Sequence, residues 1–130
     1  MFRPTGNDIV EPTEGMVPAS VADVARFVDF VTSWDRERPM VVHCWAGISR
    51  STAGAFVAAC ALRPNDDEAE IAAELRRRSP SATPNRRIVA LADRLLNRDG
   101  RMEAAIAAIG RGADAFEGAP FEMPIREVAR

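Results

Sequence analysis

Lysine, tyrosine and glutamine are absent from this 130-residue chain, histidine occurs once, at His43, and cysteine twice, at Cys44 and Cys60. One histidine argues against a His-ligated metal cluster. Two cysteines without a signal-peptide core at the start argue against a disulfide framework, so a reducing compartment, the cytoplasm, is expected. No apolar run approaches the ~18 residues of a membrane-spanning helix, and no membrane association is expected. The formal net charge is −2, which leaves no excess of positive charge to capture nucleic acid. All 17 basic residues are arginine; with the alanine-rich segments this suggests a GC-rich bacterial gene, an argument from codons and not from chemistry. There are no internal repeats and no low-complexity tract.

The chain has the length of one domain with a modest core, and its 47% hydrophobic content is ordinary for a globular protein. Residues 1–17 are rich in Pro, Gly, Asn and Thr and read as loop, with a short strand near the start as an option. Ser20 is placed to cap a helix with Asp23 in its first turn, and Val21, Val24, Val28 and Val31 recur at helical spacing as far as about Trp34. After a charged turn at 35–39, the short apolar run 40–43 fits a buried parallel strand. Residues 50–62 are small and apolar all round, as a central buried helix requires. Asn65 and Glu68 have the spacing of a capping pair for a helix to about Arg78. The segment 79–85 breaks it, a further helix runs over 85–97 and stops near Gly100, and 102–109 is a shorter helical stretch. The expected division is a domain over 1–112 and an irregular tail over 113–130.

The chemistry concentrates in VVHCWAGISRST, residues 41–52. A strand ending at Cys44 and a helix starting near Arg50 leave the amides of the intervening loop to point inward as an anion nest at a positive helix terminus. The same field favours a thiolate, lowering a cysteine from ~8.5 into the ~3.5–7.5 range. Gly47 permits a left-handed turn. The Arg50 guanidinium is a planar fork able to hold two phosphoryl oxygens, and Ser51 can donate a hydrogen bond to the sulfur. A loop of this kind binds a tetrahedral dianion and aims a nucleophile at its centre, which is phosphoryl transfer through phosphocysteine.

HCWAGISRS resembles the His-Cys-x5-Arg-Ser/Thr signature of the cysteine-based protein tyrosine phosphatases, in particular their dual-specificity-like group. The segment VADVARFVDFVTSWDRERPMVVHC resembles the helix, turn and strand leading into that signature, and LRRRSPSATPNRRIVALADRLL resembles the later proline-bearing turn and closing helix. The NDI-x-EP stretch resembles an acidic loop of small bacterial predicted tyrosine phosphatases. The resemblance implies an α/β fold, a sheet flanked by helices, with the N-terminal strands missing or truncated; a homodimer that completes the sheet is the alternative. It implies Cys44 as nucleophile, Arg50 as phosphate clamp, Ser51 assisting breakdown of the intermediate, and His43 ordering the loop. The loop residues Trp45, Ala46, Gly47, Ile48 and Ser49 would join Arg50 in surrounding the phosphate, and Asn85 would brace them. Trp45 either lines the pocket mouth or packs beneath the loop. A carboxylate must protonate the leaving oxygen; Asp8 is assigned, with Glu11 and Glu14 as alternatives and Asp23 and Asp29 as poorer candidates on a helix face. The absence of Gln and Tyr excludes the water-positioning glutamine and the aromatic recognition loop of the tyrosine-only members, and the dual-specificity-like branch needs neither.

The expected activity is therefore hydrolysis of phosphoric monoesters, on a phosphorylated protein or a small phosphomonoester, without metal or other cofactor. A catalytically weak phosphate-binding module is the alternative. Sulfur transfer of the rhodanese kind needs a loop of different length, and arsenate reduction needs a second redox cysteine near the site. Cys60 reads as a core cysteine, Arg76, Arg77, Arg78, Arg86 and Arg87 as solvated helix faces, and Asn85 as a helix cap in addition to any bracing role.

Overall fold

A computed structural model of the protein describes residues 20–34, 49–113 and 121–123. The first helix, α1 (Val21–Thr32), begins where Ser20 leaves the helical conformation and its hydroxyl accepts the Asp23 N–H at 3.0 Å. Val24, Phe27 and Val31 turn to the core. Val21 belongs to the same heptad stripe but lies in the first turn, past the edge of the core, and is 54% exposed.

The second helix, α2 (Arg50–Leu62), has the bounds its composition implies, and it is buried on all sides. Its small residues let neighbours approach closely. It packs against α1, α3 (Glu68–Arg78) and α4 (Arg86–Leu95), while α5 (Arg101–Ile109) lies against α3 and α4. Phe56, Val57, Ile71, Leu75, Val89 and Met102 fill the space between them.

The α/β expectation is corrected here. Among the described residues every regular element is a helix and there is no strand. Among the described residues the apolar surface of α2 is covered by α1, α3 and α4. The four-residue strand read at 40–43 lies outside the described residues, as does the optional strand near the start.

Two helix starts also differ from the sequence pattern. The cap of α3 is Asp67, whose carboxylate accepts the Ala69 N–H at 2.9 Å; Asn65 lies in the preceding turn. Glu68 cannot complete a capping pair because its carboxylate is engaged by Arg98 at 2.8 Å and Arg101 at 3.2 Å. The cap position of α5 is Gly100, which has no side chain to cap with, and α4 supplies the acceptor. Buried Asp93 takes the N–H groups of Gly100 and Met102 at 2.7 Å each, and that of Glu103 at 3.4 Å. Asp93 thereby satisfies donors that a helix N-terminus otherwise leaves orphaned. Helix α4 ends before Asn97 because Asn97 and Asp99 adopt φ of 56° and 54°, which helical residues do not.

No helix among the described residues is long and apolar enough to cross a membrane.

Candidate functional site

The site-bearing end of α2 is built around one carbonyl. Ser49 O accepts the Ala53 N–H at 3.1 Å, the Thr52 hydroxyl at 3.2 Å and the Asn85 N–H at 3.0 Å. The first bond is the helix's own, and the second reinforces its opening turn from a fully buried side chain. The third crosses the molecule and ties the start of α2 to the start of α4. Asn85 is the cap of α4, its side-chain oxygen accepting the Ile88 N–H at 2.9 Å. The residue therefore touches the α2 terminus through its main chain while its carboxamide oxygen serves its own helix.

Arg50 opens α2 and is only 7% exposed, with Ser51 and Thr52 buried beside it. The first turn contains no acidic residue. A helix N-terminus carries roughly half a positive charge, and Arg50 puts a cationic residue at the first helical position. That arrangement suits an anion, and above all one with several oxygens in a plane or tetrahedron.

The segment 79–85 that delivers Asn85 is itself pinned. Arg76 was expected on a solvated face; instead its guanidinium donates to the carbonyls of Ser79 at 3.3 Å, Pro80 at 3.0 Å and Ala82 at 2.8 Å, and to Gly110 at 2.6 Å. The chain after α5 closes over the same turn, with Gly112 N–H on the Thr83 hydroxyl at 3.1 Å and Ala113 N–H on Pro80 O at 2.9 Å. A Cβ on Gly112 would sit 2.4 Å from the Ser81 carbonyl carbon, so only glycine fits there. The one signal for Arg76 in the sequence was its place in the last turn of a helix, where arginines often bond terminal carbonyls. Neighbouring Arg78 pairs with Glu74 at 2.9 Å and reaches Glu122 O at 3.1 Å.

Cys60 is sealed in the core. Burial pushes its thiol up to about 12, against a smaller downward pull from Arg98, so it stays protonated and inert at neutral pH. Of the residues singled out by the sequence, the structure brings together Ser49, Arg50, Ser51 and Asn85. His43, Cys44, Trp45, Ala46, Gly47 and Ile48 lie outside the described residues, as do Asp8, Glu11 and Glu14.

Residues 12–86 match the family model described as protein-tyrosine phosphatase. The match covers more than half of the 130 residues; it takes in the 43–51 motif, α1, α2 and α3, and ends at the residue after Asn85. No curated protein and no solved structure matches the chain.

Proposed function

The chain belongs to the protein-tyrosine phosphatase family, and on that premise we propose that it hydrolyses phosphoric monoesters through a phosphocysteine at Cys44, as a protein-tyrosine or dual-specificity-like phosphatase of the cytoplasm. The observation that supports this reading is the end of α2, where buried Arg50 is the first helical residue and the Asn85 N–H holds the preceding carbonyl in place.

In the proposed reaction, the Cys44 thiolate attacks phosphorus and the bond from phosphorus to the leaving oxygen breaks. A carboxylic acid, assigned to Asp8, protonates that oxygen, a contribution of about 10²–10⁴ in rate. Arg50 and the loop amides hold the equatorial oxygens, whose charge is what the site must stabilise. Water then attacks the phosphocysteine, giving its proton to the same carboxylate as the sulfur–phosphorus bond breaks. Ser51 hydrogen-bonds the departing thiolate, and His43 orders the loop.

The test is hydrolysis of p-nitrophenyl phosphate in EDTA, with the Cys44→Ser protein as blank. Turnover that depends on Cys44 is expected. A folded protein that binds phosphate but turns nothing over would refute the hydrolase and leave a phosphate-binding module.

A further inference from the structure

We propose that Arg76, on α3 and outside the signature motif, is a positioning residue for the phosphate-binding loop, an inference that rests on the phosphatase reading above. The route is physical and short. The Arg76 guanidinium gathers the carbonyls of Ser79, Pro80 and Ala82 on one nitrogen and that of Gly110 on the other. This fixes the turn against the chain that follows α5. Two residues past Ala82 the turn passes through buried Pro84, whose ring fixes φ. The next residue, Asn85, donates its N–H to Ser49 O at 3.0 Å. Ser49 is bonded directly to Arg50, so a shift of the turn is delivered to the residue assigned as phosphate clamp.

The linkage runs through main-chain groups at its far end. The hydrogen bond to Ser49 is made by the main-chain N–H of residue 85, while the side-chain oxygen there caps α4. A guanidinium is suited to the task at the near end. It offers five N–H donors in a rigid plane, enough for carbonyls on two separate segments, whereas an ammonium concentrates three donors on one atom. Misplacement of a catalytic group by about 1 Å costs on the order of 10²-fold in rate, so a modest movement of Ser49 has a measurable effect at Arg50.

The experiment compares Arg76→Met and Arg76→Lys with the unmodified chain by three readouts. Urea unfolding reports whether each variant is folded. Hydrogen exchange reports protection of the Asn85 amide. Steady-state kinetics with p-nitrophenyl phosphate, and inhibition by inorganic phosphate, report the site. Arg76→Met is expected to stay folded, to exchange the Asn85 amide at least tenfold faster, and to lose about ten- to a hundredfold in kcat/KM with weaker phosphate inhibition; Arg76→Lys recovers part of both effects. Native Asn85 protection in a folded Arg76→Met protein, or loss of activity only in proportion to the unfolded fraction, would overturn the proposal. If Arg76→Met does not fold, Arg76→Lys carries the same comparison. An unmodified chain without turnover refutes the phosphatase reading instead, and exchange at Asn85 still rules on the linkage.

Discussion

Replacing Arg98 by methionine tests the most deeply buried ion pair among the described residues. Arg98 Nη1 donates to Glu68 at 2.8 Å and Nη2 to the Cys60 carbonyl at 2.8 Å, and the two charged side chains are only 10% and 7% exposed. The arginine lies just past the end of α4, while its partners are on α3 and α2, so it links three helices. Removing one member of a buried pair costs about 3–5 kcal/mol, because the other charge is left without its counterion. Arg101 remains 3.2 Å from Glu68, but it is itself 55% exposed and screened. The expected loss is therefore near the lower bound, about 3 kcal/mol, or roughly 10 °C in Tm for a chain of this size. Urea unfolding followed by far-UV circular dichroism measures it directly.

The acid limb gives an independent check. Burial pushes the Glu68 carboxyl up, but its own backbone N–H and the hydrogen bonds from Arg98 and Arg101 outweigh this and hold it below its ordinary value of 4.5. A carboxyl depressed in the folded state contributes stability that is fully present above the unfolded value and is lost as pH falls through the folded one. Stability should therefore decline as pH drops below about 4.5, and that decline should shrink in Arg98→Met. Adding Glu68→Gln to Arg98→Met removes the stranded charge and should restore part of the loss. A destabilisation below about 1 kcal/mol, or a double variant weaker than Arg98→Met alone, would refute the assignment of a buried, mutually dependent pair.

Cys60 and Asn85 each give a further test. With its thiol pushed up to about 12, Cys60 should be silent to a thiol reagent in the folded Cys44→Ser protein at pH 8 and react only in denaturant; rapid labelling of the native protein would contradict its burial. At position 85, alanine removes the cap on α4 but keeps the N–H that Ser49 accepts, so Asn85→Ala should cost about 1 kcal/mol of stability. Asn85 has φ of −60°, which proline adopts without strain, so Asn85→Pro removes the donor as well and should depress turnover well beyond Asn85→Ala. Equal turnover in the two variants would argue that the main-chain bond is idle.

What was legible in the sequence was local. The bounds of α2 followed from an unbroken run of small apolar residues, and the caps Ser20 and Asn85 from their position before a periodic segment. The stretch 43–51 reads as a nucleophile loop from its motif; the family match spans it, and residues 43–48 lie outside the described ones. The α/β fold came from the resemblance and from four apolar residues, too short a run to tell a strand from other buried backbone, and the described residues cover α2 with helices.

The contacts that position the α2 end were hidden for a different reason: they join residues far apart in sequence through groups every residue has. Ser49 and Asn85 meet through a carbonyl and an amide, and neither leaves a trace in side-chain spacing. Arg76 looks like its neighbours Arg77 and Arg78 until the carbonyls of 79–82 and Gly110 are placed around it. Asp93, which would pass for a polar residue on an amphipathic helix, caps a helix that starts eight residues later. In each case a polar side chain or amide is committed to orphaned backbone groups at the end of an element. These commitments converge on the turns between helices, and the turn at 79–85 joins the chain after α5 to the start of α2.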